Sequence, residues 1–203
     1  MHNDFKNIIF DMGGVLIGLD PQRCIRAFRE IGCGQIASYV EEHRTEDLFL
    51  DTELGRIGEH QFCQEVRRIA GTDTPDERIV WAWNQLLAGI TPQRARRLME
   101  LKARGCRLFL LSNTNTMHWQ QCRQMLAEGG IRPEECFERI FLSCDMHMAK
   151  PGTDIFGRVL REAALRPEDT LFVDDSLDNC QAAASLGMAT LHETAQNRWT
   201  ELL

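Results

Sequence analysis

Five short apolar runs, at residues 7–11, 107–111, 139–143, 170–174 and 188–191, constrain the fold more than any other feature of the chain. Each is bounded by polar residues or glycine, and helical patterns separate them. Short buried strands alternating with helices imply a parallel sheet covered on both faces, because a parallel connection needs a crossover and the crossover buries a face. Thr91-Pro92 is a helix start, an N-cap followed by proline at the first helical position. That helix runs through Arg94, Leu98 and Leu101 to a stop at Gly105. Further helices are expected over 116–128, 153–164 and 178–186.

Residues 19–88 break the alternation. They hold no convincing strand and read as helices over 21–31, 35–49, 59–70 and 75–87. An all-helical stretch between the first two strands reads as an insertion, so the expected division is a core of 1–17 with 89–203 and a helical cap of 18–88. The cap would lie over the C-terminal edge of the sheet, where parallel α/β sheets bind ligands.

The chain's 203 residues can bury a substantial core. A net charge of −7 gives no electrostatic footprint for nucleic acid and no long-range attraction to an anionic membrane. No apolar run reaches the roughly 18 residues of a membrane helix, and no signal-peptide pattern is visible. The eight cysteines form no CxxC pair and no zinc spacing. They read as free thiols, and the expected compartment is the reducing cytoplasm. Oligomeric state is open.

The chemistry gathers at the strand ends. Ile8-Ile9-Phe10 runs straight into Asp11, followed by Met12, Gly13 and Gly14. A strand-end aspartate often only caps a turn; here three more strand ends carry polar groups. They are Ser112-Asn113-Thr114-Asn115, then Lys150-Pro151, then Asp174-Asp175-Ser176. In a parallel sheet all four share one edge. An anionic phosphate monoester repels an attacking carboxylate, and a hard cation on oxygen ligands removes that repulsion. Asp11, Asp174, Asp175 and the Gly13 carbonyl are candidate Mg²⁺ ligands. Lys150 adds fixed positive charge, Ser112 and the Asn113 amide can donate to phosphate oxygens, and Asp11 can attack phosphorus to form an aspartyl-phosphate.

In that order of motifs the chain resembles the haloacid dehalogenase superfamily: Asp11 with Gly14-Val15, Leu111-Ser112-Asn113, Lys150-Pro151, and Val173-Asp174-Asp175-Ser176 with Asn179. Within it the chain resembles a small bacterial branch that includes an α-D-glucose-1-phosphate phosphatase. Asn115, His118, Trp119, Trp83-Asn84, Gly55-Arg56-Ile57 and Phe62 also match that branch. The resemblance implies a Rossmann-like core with strand order 5-4-1-2-3 and a helical cap. It also implies a magnesium-dependent phosphatase of a small phosphorylated metabolite, such as a sugar phosphate. Asp11 and Lys150 would be catalytic, and Met12, Gly13, Ser112, Asn113 and Lys150 would hold phosphate.

One departure bears on mechanism. Most phosphatases of the superfamily carry a second aspartate two positions after the nucleophile to protonate the leaving oxygen; here that position is Gly13. A better leaving group, a cap residue, His118 or water are the open replacements. Two alternatives stay open with it, a 2-haloacid dehalogenase and a low-activity phospho-metabolite-binding protein. His147 and Gly152 are smaller departures, at positions where the branch has glycine and aspartate. Asp20 reads first as a helix N-cap and second as a substrate ligand. Asn115 and His118 are possible pocket residues. Trp81 and Trp83 read as packing, Arg23 as a solvated helix residue, and Asn179 as orienting Lys150 or an acidic ligand. Cys24 and Cys144 lie near the expected site without a base, which excludes cysteine chemistry.

Overall fold

The computed structural model of the chain describes residues 5–42, 48–195 and 197–203. Strand β1 (Asn7–Phe10) leads through a tight loop to the two-residue β2 (Gly18–Leu19). Five helices follow: α1 (Pro21–Glu30), α2 (Gly34–Glu41), α3 (Leu48–Glu53), α4 (Glu59–Ala70) and α5 (Asp76–Asn84). Then come β3 (Leu87–Gly89), α6 (Pro92–Ala103), β4 (Arg107–Ser112) and α7 (Thr116–Glu128). Next are α8 (Pro133–Cys136), β5 (Arg139–Leu142), α9 (Ser143–Met146) and α10 (Thr153–Glu162). Last are β6 (Thr170–Asp174), α11 (Leu177–Ser185), β7 (Ala189–His192) and α12 (Arg198–Leu202).

Five strands form one parallel sheet in the order β5-β4-β1-β6-β7. Numbered within that sheet alone and read from β7, this is the expected 5-4-1-2-3. The two-residue period of a strand divides its apolar residues between two faces. Ile8, Phe10, Leu108, Leu110, Leu171 and Val173 face the cluster built from α6, α7 and α12, which contains Leu98, Leu126 and Trp199. Ile9, Phe109, Leu111 and Phe172 face the other cluster, with Ile155, Phe156, Val159 and Ala183 from α10 and α11. Burial on both faces is why these strands read as continuous apolar runs. A separate cluster, including Phe28, Ile36, Phe62, Val66, Ile79 and Trp83, holds α1 to α5 together.

The predicted helix start at Thr91 holds, since its hydroxyl accepts from Arg94 N. Gly105, at φ +86°, follows the end of α6. Residues 19–88 do have strand at their margins, contrary to expectation: β2 and β3 pair antiparallel where the segment leaves and rejoins the sheet-bearing part. Two and three residues are too short to show a period. The expected helix over 35–49 divides, with α2 ending at Glu41 and α3 starting at Leu48; residues 43–47 lie outside the described residues. Among the described residues no helix is long and apolar enough to cross a membrane.

Candidate active site

All five sheet strands point the same way, so Asp11, Ser112 and Asp174 leave adjacent strand ends on one edge. Asp11 continues β1 by one hydrogen bond, its N–H donating to Val173 O at 2.9 Å. The loop after it is tight. Met12 O accepts from both Leu16 N and Ile17 N, and Gly14 N donates to Ile17 O. Trp199 Nε1 donates to Val15 O at 3.2 Å and packs edge-on against Phe10, while buried Arg94 donates to Leu16 O. The loop is therefore braced from beneath by α12 and α6.

Lys150 crosses to meet it. Its side chain is 1% exposed, and the ammonium donates to Asp11 Oδ1 at 2.6 Å, to Asp174 Oδ2 at 2.7 Å and to Leu111 O at 3.1 Å. Three donors meet three acceptors, which is what a buried ammonium requires. Asn113 clamps the lysine backbone in both directions, accepting from Lys150 N at 2.9 Å and donating to Lys150 O at 2.8 Å. The other Asp174 oxygen accepts from Ser176 N and from Asn179 Nδ2 at 3.0 Å. Asn179 thus orients an acidic residue, as expected, and both Asp174 oxygens are occupied by protein donors.

Asp175 is the more exposed neighbour. Oxygens of Asp11, Asp174 and Asp175 lie within 4.8 Å of one another. Gly14 makes that possible: at φ +72° a Cβ there would sit 2.0 Å from Asp175 Oδ2. A hollow of about 380 Å³ opens beside Asp175, bordered by Gly14, Gly18, Leu19, Arg94 and His192.

The electrostatics leave a surplus of negative charge. Burial works against the Lys150 ammonium, yet Asp11 and Asp174 overcome it and hold the lysine above its ordinary value. Burial pushes the Asp11 carboxyl up to about 7 against the pull of Lys150, with Asp174 and Asp175 adding to the rise. Burial and then Asp174 also raise Asp175. Lys150 stays charged, and the rise at Asp11 is first the cost of burial, with the neighbouring carboxyls adding to it. Hard oxygen donors short of positive charge fit Mg²⁺ well.

Several expected residues stand elsewhere or act differently. Met12 and Ser112 are buried at the edge beside Asp11. Asp20 is the N-cap of α1, accepting from Arg23 N at 2.9 Å, so its carboxylate is engaged there rather than turned to a substrate. Asn115 caps α7 by accepting from His118 N; its buried Nδ2 has no partner among the described residues. His118 is not a pocket acid. It is stacked on Trp83 at 4.5 Å, its Nε2 lies 3.2 Å from Trp83 O, and burial drives its pKa down to about 4. At neutral pH it is uncharged and bound to α5. Arg23 is half-buried; it donates to Gln85 O and Leu87 O and ties α1 to the start of β3. Burial pushes Cys24 up to about 12 and Cys144 up to about 11, so neither supplies a thiolate. His147 takes φ +54°, the left-handed conformation natural to glycine, and its Nδ1 lies 2.8 Å from Leu54 O. Gly152 starts α10 without a side-chain cap.

Glu53, which no motif flagged, lies at the end of α3 over this edge. Burial raises its carboxyl to about 6, and Lys150 is the charge that opposes the rise.

Three comparisons bear on the site. The family model for haloacid dehalogenase-like hydrolases matches residues 5–187. The chain is 26% identical over 200 residues to the D-ribitol-5-phosphate phosphatase of Bacteroides thetaiotaomicron, covering 98% of this chain and 96% of that one. It is 30% identical over 102 residues to the glyceraldehyde 3-phosphate phosphatase of Methanocaldococcus jannaschii, covering 49% of this chain and 42% of that one. A haloacid dehalogenase family enzyme from Bacteroides thetaiotaomicron, solved with magnesium and inorganic phosphate, superposes with a TM-score of 0.91. It is 36% identical, over 98% of this chain and 99% of that one.

Proposed function

Because this chain belongs to the haloacid dehalogenase-like hydrolase family, we propose that it is a magnesium-dependent phosphatase acting through an aspartyl-phosphate on Asp11. The proposed substrate is a small phosphorylated metabolite, a sugar or polyol phosphate. The observation that carries the reading is the buried Asp11–Lys150 pair at 2.6 Å with Asp174 and Asp175 oxygens alongside.

Asp11 has one oxygen on Lys150 and a second available to attack phosphorus in line with the leaving oxygen. Lys150 fixes the attacking carboxylate and adds positive charge where phosphate oxygens would lie. Ser112 and the Asn113 amide, at the end of β4, donate to those oxygens, with Met12 and Gly13 supplying backbone. Mg²⁺ would be held by Asp11, Asp175 and the Gly13 carbonyl, with Asp174 behind them, and would neutralise the charge of the phosphate. Residues 18–88 act as a cap whose closure excludes water. Three carboxylates around one lysine weigh against metal-free dehalogenation, which has no use for them.

Phosphate release from a panel of sugar and polyol phosphates, with and without Mg²⁺, tests the reading. Release should require Mg²⁺, and Asp11→Asn should lower it by at least about 10³-fold. Mg²⁺-independent turnover of 2-haloacids, with no phosphate released, would overturn it.

A further inference from the structure

We propose that Glu53 is the proton donor to the leaving oxygen, supplied by the cap in place of the carboxyl that Gly13 lacks; this rests on the phosphatase reading above. The first ground is position. The Glu53–Gly55 segment is fastened directly to the loops that carry the site. Ser143 Oγ donates to Glu53 O at 2.6 Å and also accepts from Thr114 N at 2.9 Å, in the loop that carries Ser112 and Asn113. His147 Nδ1 reaches Leu54 O at 2.8 Å. Gly55, at φ +64°, lies so close that a Cβ would sit 2.2 Å from Cys144 O. These contacts from α9 and its C-terminal turn hold the end of α3 over the strand ends.

The second ground is the state of the carboxyl. Among the described residues it has no hydrogen bond and no ion pair, although it is half-buried. The charges around it are accounted for. Lys150 is the charge that acts on it; Asp51 and Arg56 of the cap pair with each other at 2.9 Å; Asp145 on α9 is exposed; His147 is committed to Leu54. Burial holds Glu53 at about 6, within reach of proton exchange near neutral pH.

The third ground is elimination. His118 is neutral and bound to Trp83 O, Asp20 caps α1, and Glu193 accepts from Ala195 N, Arg198 N and Trp199 N. Both Asp174 oxygens accept from protein donors, and Asp175 is one of the proposed Mg²⁺ ligands.

The proton balance closes over two steps. In the first, an Asp11 oxygen bonds to phosphorus while the P–O bond to the alcohol breaks with its electron pair. The Glu53 proton passes to that oxygen, the alcohol leaves, and Glu53 becomes a carboxylate. In the second, this carboxylate takes a proton from water as the water oxygen attacks phosphorus. The P–O bond to Asp11 then breaks, returning inorganic phosphate, the Asp11 carboxylate and protonated Glu53.

The test compares two esters with the Glu53→Gln protein in Mg²⁺: a sugar or polyol phosphate, whose alkoxide needs a proton, and p-nitrophenyl phosphate, whose phenolate does not. The kcat on the alkyl ester should fall about 10²- to 10⁴-fold and that on the aryl ester less than about threefold. An equal loss on both esters, or no loss on either, would overturn the inference. Should the variant fail to fold, the wild-type protein decides through its own leaving-group series. Rates nearly independent of alcohol acidity support an acid, and a steep dependence contradicts one. A wild type inactive on both esters fails the phosphatase reading first, and the inference falls with it.

Discussion

Two adjacent glycines after Asp11 have different physical reasons to be glycine. At Gly14 a Cβ would sit 2.0 Å from Asp175 Oδ2, and φ is +72°. That position has no room for a side chain while Asp175 keeps its place. At Gly13 a Cβ would meet only Leu19 side-chain carbons at 3.5 Å, an ordinary contact. A Cβ is therefore tolerated at Gly13 as it is not at Gly14. Gly14→Ala should therefore displace Asp175 and weaken metal binding. With Mg²⁺ at a hundred times its Kd, the wild type should gain about 3 kcal/mol of stability, read as a rise in unfolding midpoint. Gly14→Ala should lose most of that rise while Gly13→Ala keeps it; equal rises in both would contradict the geometry. The residues legible in the sequence were Asp11, Ser112, Asp174 and Asp175 at or just past strand ends, and Lys150, which α9 separates from β5. Asp20 was legible too, as the N-cap of α1. The cap role of Asn115 was not, because it is set by where α7 begins.

At the scale of elements, the junction between α5 and α7 is a ring stack, Phe49–Trp83–His118, with centroids 4.9 and 4.5 Å apart. It joins the helical segment to the sheet-bearing part and accounts for a neutral, buried His118. A histidine at about 4 when folded and near 6.5 when unfolded takes up protons on unfolding between those values. Its contribution is present above pH 6.5 and lost as pH falls towards 4, on the order of 3 kcal/mol in all. The raised carboxyls of Asp11 and Glu53 act in the opposite sense over the same window, so the histidine's part is read as the difference in stability between the wild type and His118→Gln in denaturant unfolding. That difference should shift in favour of the wild type as pH rises from 4 to 7; a difference independent of pH would contradict the buried, neutral His118. This stack was out of reach of the sequence, because residues 49, 83 and 118 meet only after α3, α5 and α7 pack. The start of α6 was readable from Thr91-Pro92, whereas the division of α2 from α3 and the short α8, α9 and α12 were not. The β2–β3 pair was not, being too short for any period.

At the scale of the whole molecule, the parallel sheet does the organising. Its strand order was implied by the family resemblance that the ordered motifs carry, and the observed pairing agrees with it. The negative net charge of −7 makes a locally positive site necessary for an anionic substrate. Lys150 and a cation on the Asp11–Asp175 oxygens meet that need in a small volume. The helical segment adds what the sheet edge lacks, enclosure and the Glu53 carboxyl. Residues 53–55 touch the edge through backbone atoms, a class of contact with no signature in side-chain patterns.

The central claim, covalent catalysis by Asp11, is tested most directly by acid-quenching the enzyme during turnover of a sugar or polyol phosphate in Mg²⁺ and searching its peptides for a phosphoryl group by mass spectrometry. The account predicts a phosphoryl group on Asp11 that forms and decays at rates consistent with kcat and is absent in Asp11→Asn. Product formation with Asp11 unmodified at every time point would contradict it.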